Sequence, residues 1–286
     1  MLRKGDLTQG GITGTLLHFT LPMMVGSFLQ QCYNIADTLI VGQCIGAGAL
    51  AAVGSAYTLM VFLISVLLGL AMGSGTVFSL HYGAGNHVAL RRSIFSSFVL
   101  IGIVTLILNV AVFIWLDPIL RLLQVPQDIY GMMRSYLWII FCGIVFTFIY
   151  NFYASLLRAV GDSVTPLWFL AVSVVLNIAL DLFFILQLDW GIQGAAAATV
   201  LAQGVAALGI IIYTYRRRPE LRWHHEDMCF DRTCLKEIAS FSTLTCIQQS
   251  VMNLGILMIQ GLVNSFGTAV MAAFAAAVKI DSFAYM

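Results

Sequence analysis

Apolar residues in this chain come in long uninterrupted runs, and the polar positions gather in short clusters between them. A bilayer core takes roughly 20 helical residues, and eight runs read as spans, near 16–41, 51–80, 94–115, 131–157, 166–187, 194–215, 238–263 and from 268 onward. The pattern predicts an all-α polytopic membrane protein. Pro22 in the first run would free a backbone carbonyl, which a membrane tolerates where neighbouring helices cover it. Several runs exceed 20 residues, implying tilt or extension beyond the lipid. The first run continues past residue 40, too long for a cleaved signal, so it is expected to stay in the protein.

Composition agrees: 60% of residues are hydrophobic and 9% charged, with a mean hydropathy of +0.94, against about 25% charged in soluble domains. A net charge of +1 supplies no field to attract nucleic acid, and none is expected as a partner. The six cysteines lie mostly in apolar runs and read as reduced thiols.

The placement of charge carries more than its sum. Arg3, Lys4, Arg91, Arg92, Arg158, Arg216, Arg217, Arg218, Arg222, Arg232 and Lys236 fall on one side of the expected bilayer, and only Arg121 and Arg134 on the other. The positive-inside rule then places the N-terminus and the 216–236 loop in the cytoplasm.

The chain also repeats itself. GQCIGAGALAAVG (42–54) is echoed by VNSFGTAVMAAFA (263–275), aligning Gly46, Ala51 and Ala52 with Gly267, Ala272 and Ala273, and FTLPMMVGSFLQQ is answered by FSTLTCIQQ. A six-helix unit therefore restarts after the basic loop, giving a first lobe over 1–215, an inter-lobe loop over 216–237 and the first two helices of a second lobe over 238–286. The second copy stops in mid-span, which leads us to expect a C-terminally truncated chain.

Three acids interrupt the apolar spans: Asp37, Asp181 and Asp281. A central Asp costs about 2.5 to 3.5 kcal/mol on insertion scales, so it must turn inward, find a partner or take up a proton. Asn34 precedes Asp37 by three residues, Asn177 precedes Asp181 by four, and Gln30 lies two turns before Asp37, so each of the first two acids shares a helix face with an amide. Thr199 is the first hydroxyl in the alanine-rich sixth span. Oxygen ligands from three helices would suit a hard monovalent cation or a proton. Amides and hydroxyls of this kind also serve as plain interhelical hydrogen bonds, but that role gives no reason for a carboxylate.

The stretches FTLPMMVGSFLQQCYNIADTLIVGQ and RAVGDSVTPLWFLAVSVVLNIALD, with the alanine-rich sixth span, resemble the multidrug and toxic compound extrusion (MATE) family. The resemblance covers essentially the whole chain. It implies twelve helices in two six-helix lobes and a cation-coupled antiporter that exports amphipathic, often cationic compounds, driven by Na⁺ or H⁺ with no other cofactor. The family's N-lobe cation site would fall on Asp37, Asn177, Asp181 and Thr199; the chain's own polar pattern adds Gln30, Asn34 and Lys279 as cation-site or cavity support. The absence of a carboxylate in TLTCIQQSVMNLGILMIQGLV is closer to the DinF-like branch. A monomer in the bacterial inner membrane is expected.

Other signals weigh less. Gly46 to Ala51 matches a loose dinucleotide fingerprint without a βαβ unit. His225, Cys229 and Cys234 fit no closed zinc pattern, so no metal site is expected. Gly69 and Gly73 form a GxxxG expected to pack within the first lobe. Met23, Met24, Phe28, Phe146, Tyr150 and Phe152 are candidates for an adaptable cavity wall, and Arg158 is expected to reach Asp162 across the turn before Pro166. A lipid-linked precursor flippase of the same superfamily is the nearer alternative function. An intramembrane aspartyl protease is remote, because its GxGD-type stretch is missing, and a non-transporting scaffold would have no purpose for buried acids.

Overall fold

The computed structural model describes residues 12–223 and 232–284, and its regular elements there are all helical. The main helices are α1 (Ile12–Cys44), α2 (Ala47–Gly83), α3 (His87–Leu122), α4 (Gln127–Cys142), α5 (Ile144–Ala159), α6 (Val164–Leu182), α7 (Gly191–Arg217), α8 (Arg232–Asn264) and α9 (Thr268–Ala284). Five of them, α2, α3, α6 with its extension, α7 and α8, are each long and apolar enough to cross a membrane. Backbone groups in lipid have no water to bond, which is why such apolar runs fold as helices.

The fourth expected span is one run in sequence but two helices in space. α4 and α5 meet at Gly143 with a bend of 49°. The bend interrupts the carbonyl ladder, and Asn109 Nδ2 from α3 donates to Phe141 O at 2.9 Å in its place. A Cβ at residue 143 would overlap the side chain of Val200 on α7, so glycine lets α7 lie directly against the hinge. α6 also departs from a plain helix, continuing as a π-helical turn over Phe183–Gln187.

α2 is the hub. It packs against α3, α4 and α5 on one side and along α8 and α9 on the other, while α7 lies against α4, α5 and α6, and α1 against α6 and α2. An aromatic cluster anchors one end of the bundle, with ring centroids 5.9 Å apart for Phe78 and Phe152 and 5.3 Å for Phe98 with Phe148. Trp223, beyond α7, folds back onto Phe98 at 5.2 Å. The outer surface is apolar, with Leu106, Ile114, Trp168, Val175 and Leu244 exposed. In water such a surface would aggregate; against lipid it is ordinary.

The echoed glycines adopt the same backbone role. Gly46 (φ 116°) and Gly267 (φ 90°) occupy the left-handed region at the turns into α2 and α9, and each carbonyl accepts at 3.1 Å, from Leu50 N and Met271 N respectively. Side-chained residues rarely take that conformation.

The Gly69–Gly73 pair faces a different neighbour from the one expected. Both glycines of α2 abut the backbone of α8, at Cys246 and Ser242, so the motif joins the two sequence repeats instead of packing inside the first. Glu237, expected ahead of its helix, lies inside α8 and pairs with His81 of α2 at 3.3 Å.

Candidate functional site

A cavity of about 330 Å³ opens inside the bundle, walled by α1, α2, α4, α5, α6 and α7. Asp37, Asn34 and Gln30 from α1, Asn177 from α6 and Thr199 from α7 all reach its wall. Asp181 sits behind that wall, fully buried at 0% exposure, and Asn177 beside it is 2% exposed. Helical spacing explains the pairing, since Asn177 and Asp181 stack one turn apart on the inward face of α6.

The Asn177 amide links the two helices. In the orientation that satisfies its neighbours, its nitrogen donates to Asp181 Oδ2 at 2.8 Å, and its oxygen accepts from Thr199 Oγ1 at 3.2 Å and Thr199 N at 3.0 Å. Tyr33, one turn before Asp37 on α1, places its hydroxyl 3.5 Å from Thr199 Oγ1. The second Asp181 oxygen, Oδ1, finds no donor among the described residues. What lies next to this carboxylate is Asp37, within hydrogen-bonding reach.

Two carboxylates cannot both be charged there without compensation. Neither donates a hydrogen bond, and like charges in contact repel by about 4 kcal/mol at an effective dielectric of about 20. A buried acceptor left without a donor costs a further ~1 to 3 kcal/mol. One positive charge among the Asp37, Asp181 and Thr199 oxygens, as a proton or a hard cation, removes both penalties.

The structure thus brings together Asp37, Asn177, Asp181 and Thr199, with Gln30 and Asn34 on the same wall. Asn34 is 9% exposed and donates to Gln31 Oε1 at 2.9 Å. Lys279 lies on α9, but its side chain and that of Asp281 fall outside the described residues, as do His225 and Cys229. Among the described residues no group of His, Cys, Asp and Glu is arranged to hold a metal ion. The aromatic and methionine candidates divide: Tyr150 lines the cavity, Phe152 is core, and Met24 and Phe28 face outward at 60% and 48% exposure.

Sequence reasoning missed the tyrosines. Tyr33, Tyr57 and Tyr136 all line the cavity, and Tyr33 was available from spacing alone, four residues before Asp37. It also missed that Gln203 Oε1 accepts from Thr147 Oγ1, joining α7 to α5 just past the hinge. The expected Arg158–Asp162 pair does not form. Asp162 accepts from Thr165 N at 3.0 Å, Thr165 Oγ1 at 2.9 Å and Arg218 Nη2 at 3.3 Å, so the cation comes from the end of α7.

Long apolar helices around an acid-bearing polar cavity define a multi-pass membrane protein built to hold small polar groups away from lipid. The chain belongs to the MatE family, whose model matches residues 22–183. It is 33% identical over 288 residues to the probable multidrug resistance protein YpnP of Bacillus subtilis, covering 98% of this chain and 63% of that protein. A second relative, the probable multidrug resistance protein YoeA of the same organism, is 28% identical over 275 residues, covering 94% of this chain and 59% of its own length. The chain therefore spans about 60% of the curated relatives it matches. Among solved structures it is similar to a ligand complex of the MATE multidrug transporter DinF-BH, with a TM-score of 0.90 and 25% identity over 99% of this chain and 63% of that one. Membership of this family removes the aspartyl-protease alternative, because its members are transporters.

Proposed function

We propose that this chain forms the cation-coupling part of an antiporter that exports amphipathic, often cationic compounds by alternating access. Na⁺ or H⁺ would bind among Asp37, Asn177, Asp181 and Thr199. The observation that carries this reading is the fully buried Asp181, whose Oδ1 lacks a donor among the described residues while Asp37 stands beside it. The relatives named as multidrug resistance proteins, and the ligand-bound multidrug transporter DinF-BH, support small organic substrates. The likeness to DinF-BH also supports placement near the DinF-like branch, as does the span of α8 over 243–263, which contains no Asp or Glu.

Coupling follows from where the acids stand. Asp37 rides on α1 and Asp181 on α6, so a cation between them draws the two helices together, and its loss leaves carboxylates that repel. Pro22 interrupts the hydrogen-bond ladder of α1 and gives that helix a place to bend. A cation that binds one arrangement better than the other shifts the equilibrium by the difference in affinity, and an equal affinity would shift nothing. Substrate entering the same cavity would then compete with the ion. The wall around Asp37 holds no Lys or Arg among the described residues, so a cation bound there meets no competing positive side chain.

By the same reading the chain works as a monomer in the cell membrane, with its N-terminus in the cytoplasm and its lobes divided between α7 and α8, a shorter connection than the 216–237 loop expected from the sequence. The test is dye efflux by the full-length protein in vesicles energised with a Na⁺ or a proton gradient. Asp37→Asn and Asp181→Asn are each expected to abolish efflux at unchanged membrane abundance; normal efflux by either variant would refute the reading.

A further inference from the structure

The cavity does not end at Gln30. A second cavity of about 370 Å³ adjoins it, sharing Gln30, Tyr150, Asn151 and Leu170 in its wall, and extends between α1, α5 and α6 to Arg158 and Ser163 at the 160–163 turn. Three neutral polar groups of its wall donate hydrogens to the protein. Tyr150 Oη donates to Pro166 O at 3.0 Å, Asn151 Nδ2 to Thr147 O at 2.8 Å and Ser163 Oγ to Phe19 O at 2.9 Å.

Among the described residues of this wall, Arg158 is the one that carries a charge. It lines this cavity half-buried, and among the described residues it has neither a carboxylate partner nor a hydrogen-bond acceptor. The acid nearest in sequence, Asp162, is already engaged by Thr165 and Arg218. A guanidinium presents five N–H donors in a planar fork that matches the paired oxygens of a carboxylate or phosphate. An unpaired cation in a confined space repels the coupling ion and attracts an anion.

Part of the wall is apolar and reaches the outer surface. Met23 lines the cavity and is itself 40% exposed, and the adjacent outer face carries Leu21 at 63% and Trp168 at 68% exposure. We infer that this cavity binds the oxyanion headgroup, carboxylate or phosphate, of an amphiphile, with Arg158 holding the headgroup and the apolar part lying along Met23 and Leu167. With the N-terminus cytoplasmic, the site opens at the level of the inner leaflet, where an anionic phospholipid or a soluble oxyanion reaches it.

The experiment reads binding, not transport, so its outcome is independent of the ion-coupling reading. Purified protein in neutral detergent is titrated with pyrene-labelled phosphatidylglycerol and with the same label on phosphatidylcholine, and inorganic phosphate serves as a competitor. Phosphatidylglycerol is expected to bind at least tenfold more tightly than phosphatidylcholine. R158Q should erase that preference, R158K should keep part of it, and S27D, which brings a carboxylate into the same cavity from an exposed position on α1, should erase it with Arg158 intact. Displacement by millimolar phosphate identifies the source as any oxyanion, and resistance to phosphate identifies the lipid. Equal binding of the two lipids by the unaltered protein overturns the inference, and so does an undiminished preference in R158Q. Should R158Q not fold, an undiminished preference in S27D overturns it.

Discussion

At Asn177 one amide does two jobs at once, donating from its nitrogen and accepting at its oxygen. Its nitrogen supplies the donor to Asp181 Oδ2 and its oxygen takes both the hydroxyl and the backbone hydrogen of Thr199. Asn177→Leu keeps the branching at Cγ with more bulk and leaves both Asp181 oxygens without a donor among the described residues, so it should destabilise the protein by ~1 to 3 kcal/mol. Asn177→Asp should be worse, because it sets a third acid beside Asp181 and Asp37. Thermal melting of the two variants checks the order, with added Na⁺ or acid expected to recover more of the loss in Asn177→Asp. These positions were legible in the chain because a polar group in an apolar span has few explanations and helical spacing fixes its face. The partner of Asp162 was not. Arg158 stood four residues away and looked sufficient, whereas the actual cation, Arg218, arrives 56 residues later from the end of another helix. Only the packing of α7 against α6 reveals it.

At the scale of the element, the hinge at Gly143 matters most to the site. Hydropathy reads 131–157 as one span because the apolar run is continuous, and nothing in it except a single glycine marks the bend. The bend is held by a side chain from elsewhere, Asn109 on α3, and by contact with Val200, the neighbour of Thr199. Asn109→Leu removes the donor to Phe141 O and should cost about 1 kcal/mol, typical of one lost hydrogen bond. Gly143→Val adds bulk against α7 beside Thr199, and overpacking of this kind costs ~1 to 3 kcal/mol. The two substitutions should therefore separate. Asn109→Leu is expected to lower the melting temperature with little change in ion affinity, and Gly143→Val to lower both, measured by the melting shift that added Na⁺ or acid produces.

Across the whole molecule, the longest contact joins α2 to the α8–α9 pair, and under the proposed function it would decide how the two repeats move apart. α2 is 37 residues long, about 55 Å at 1.5 Å per residue, and α8–α9 follow it almost end to end. One end is polar: Ser55 Oγ donates to Asn264 Oδ1 and Thr58 Oγ1 to Gln260 Oε1, each at 3.1 Å, and Asn264 Nδ2 donates to Leu123 O at 2.8 Å. The other end is a close approach of small residues, with Gly69 and Gly73 against Cys246 and Ser242, and His81 beside Glu237. Under the proposed function, alternating access would require these ends to open in turn, and they resist opening for different reasons, directional hydrogen bonds at one and backbone contact at the other. Gly73→Leu should wedge the close-packed end, and Gln260→Leu should loosen the polar end. Spin labels placed across each end, read by pulsed electron resonance, should show a longer distance at the His81 end in Gly73→Leu and at the Asn264 end in Gln260→Leu. If either substitution lengthens both distances together, the repeats separate as one unit and the contact does not act as two independent closures.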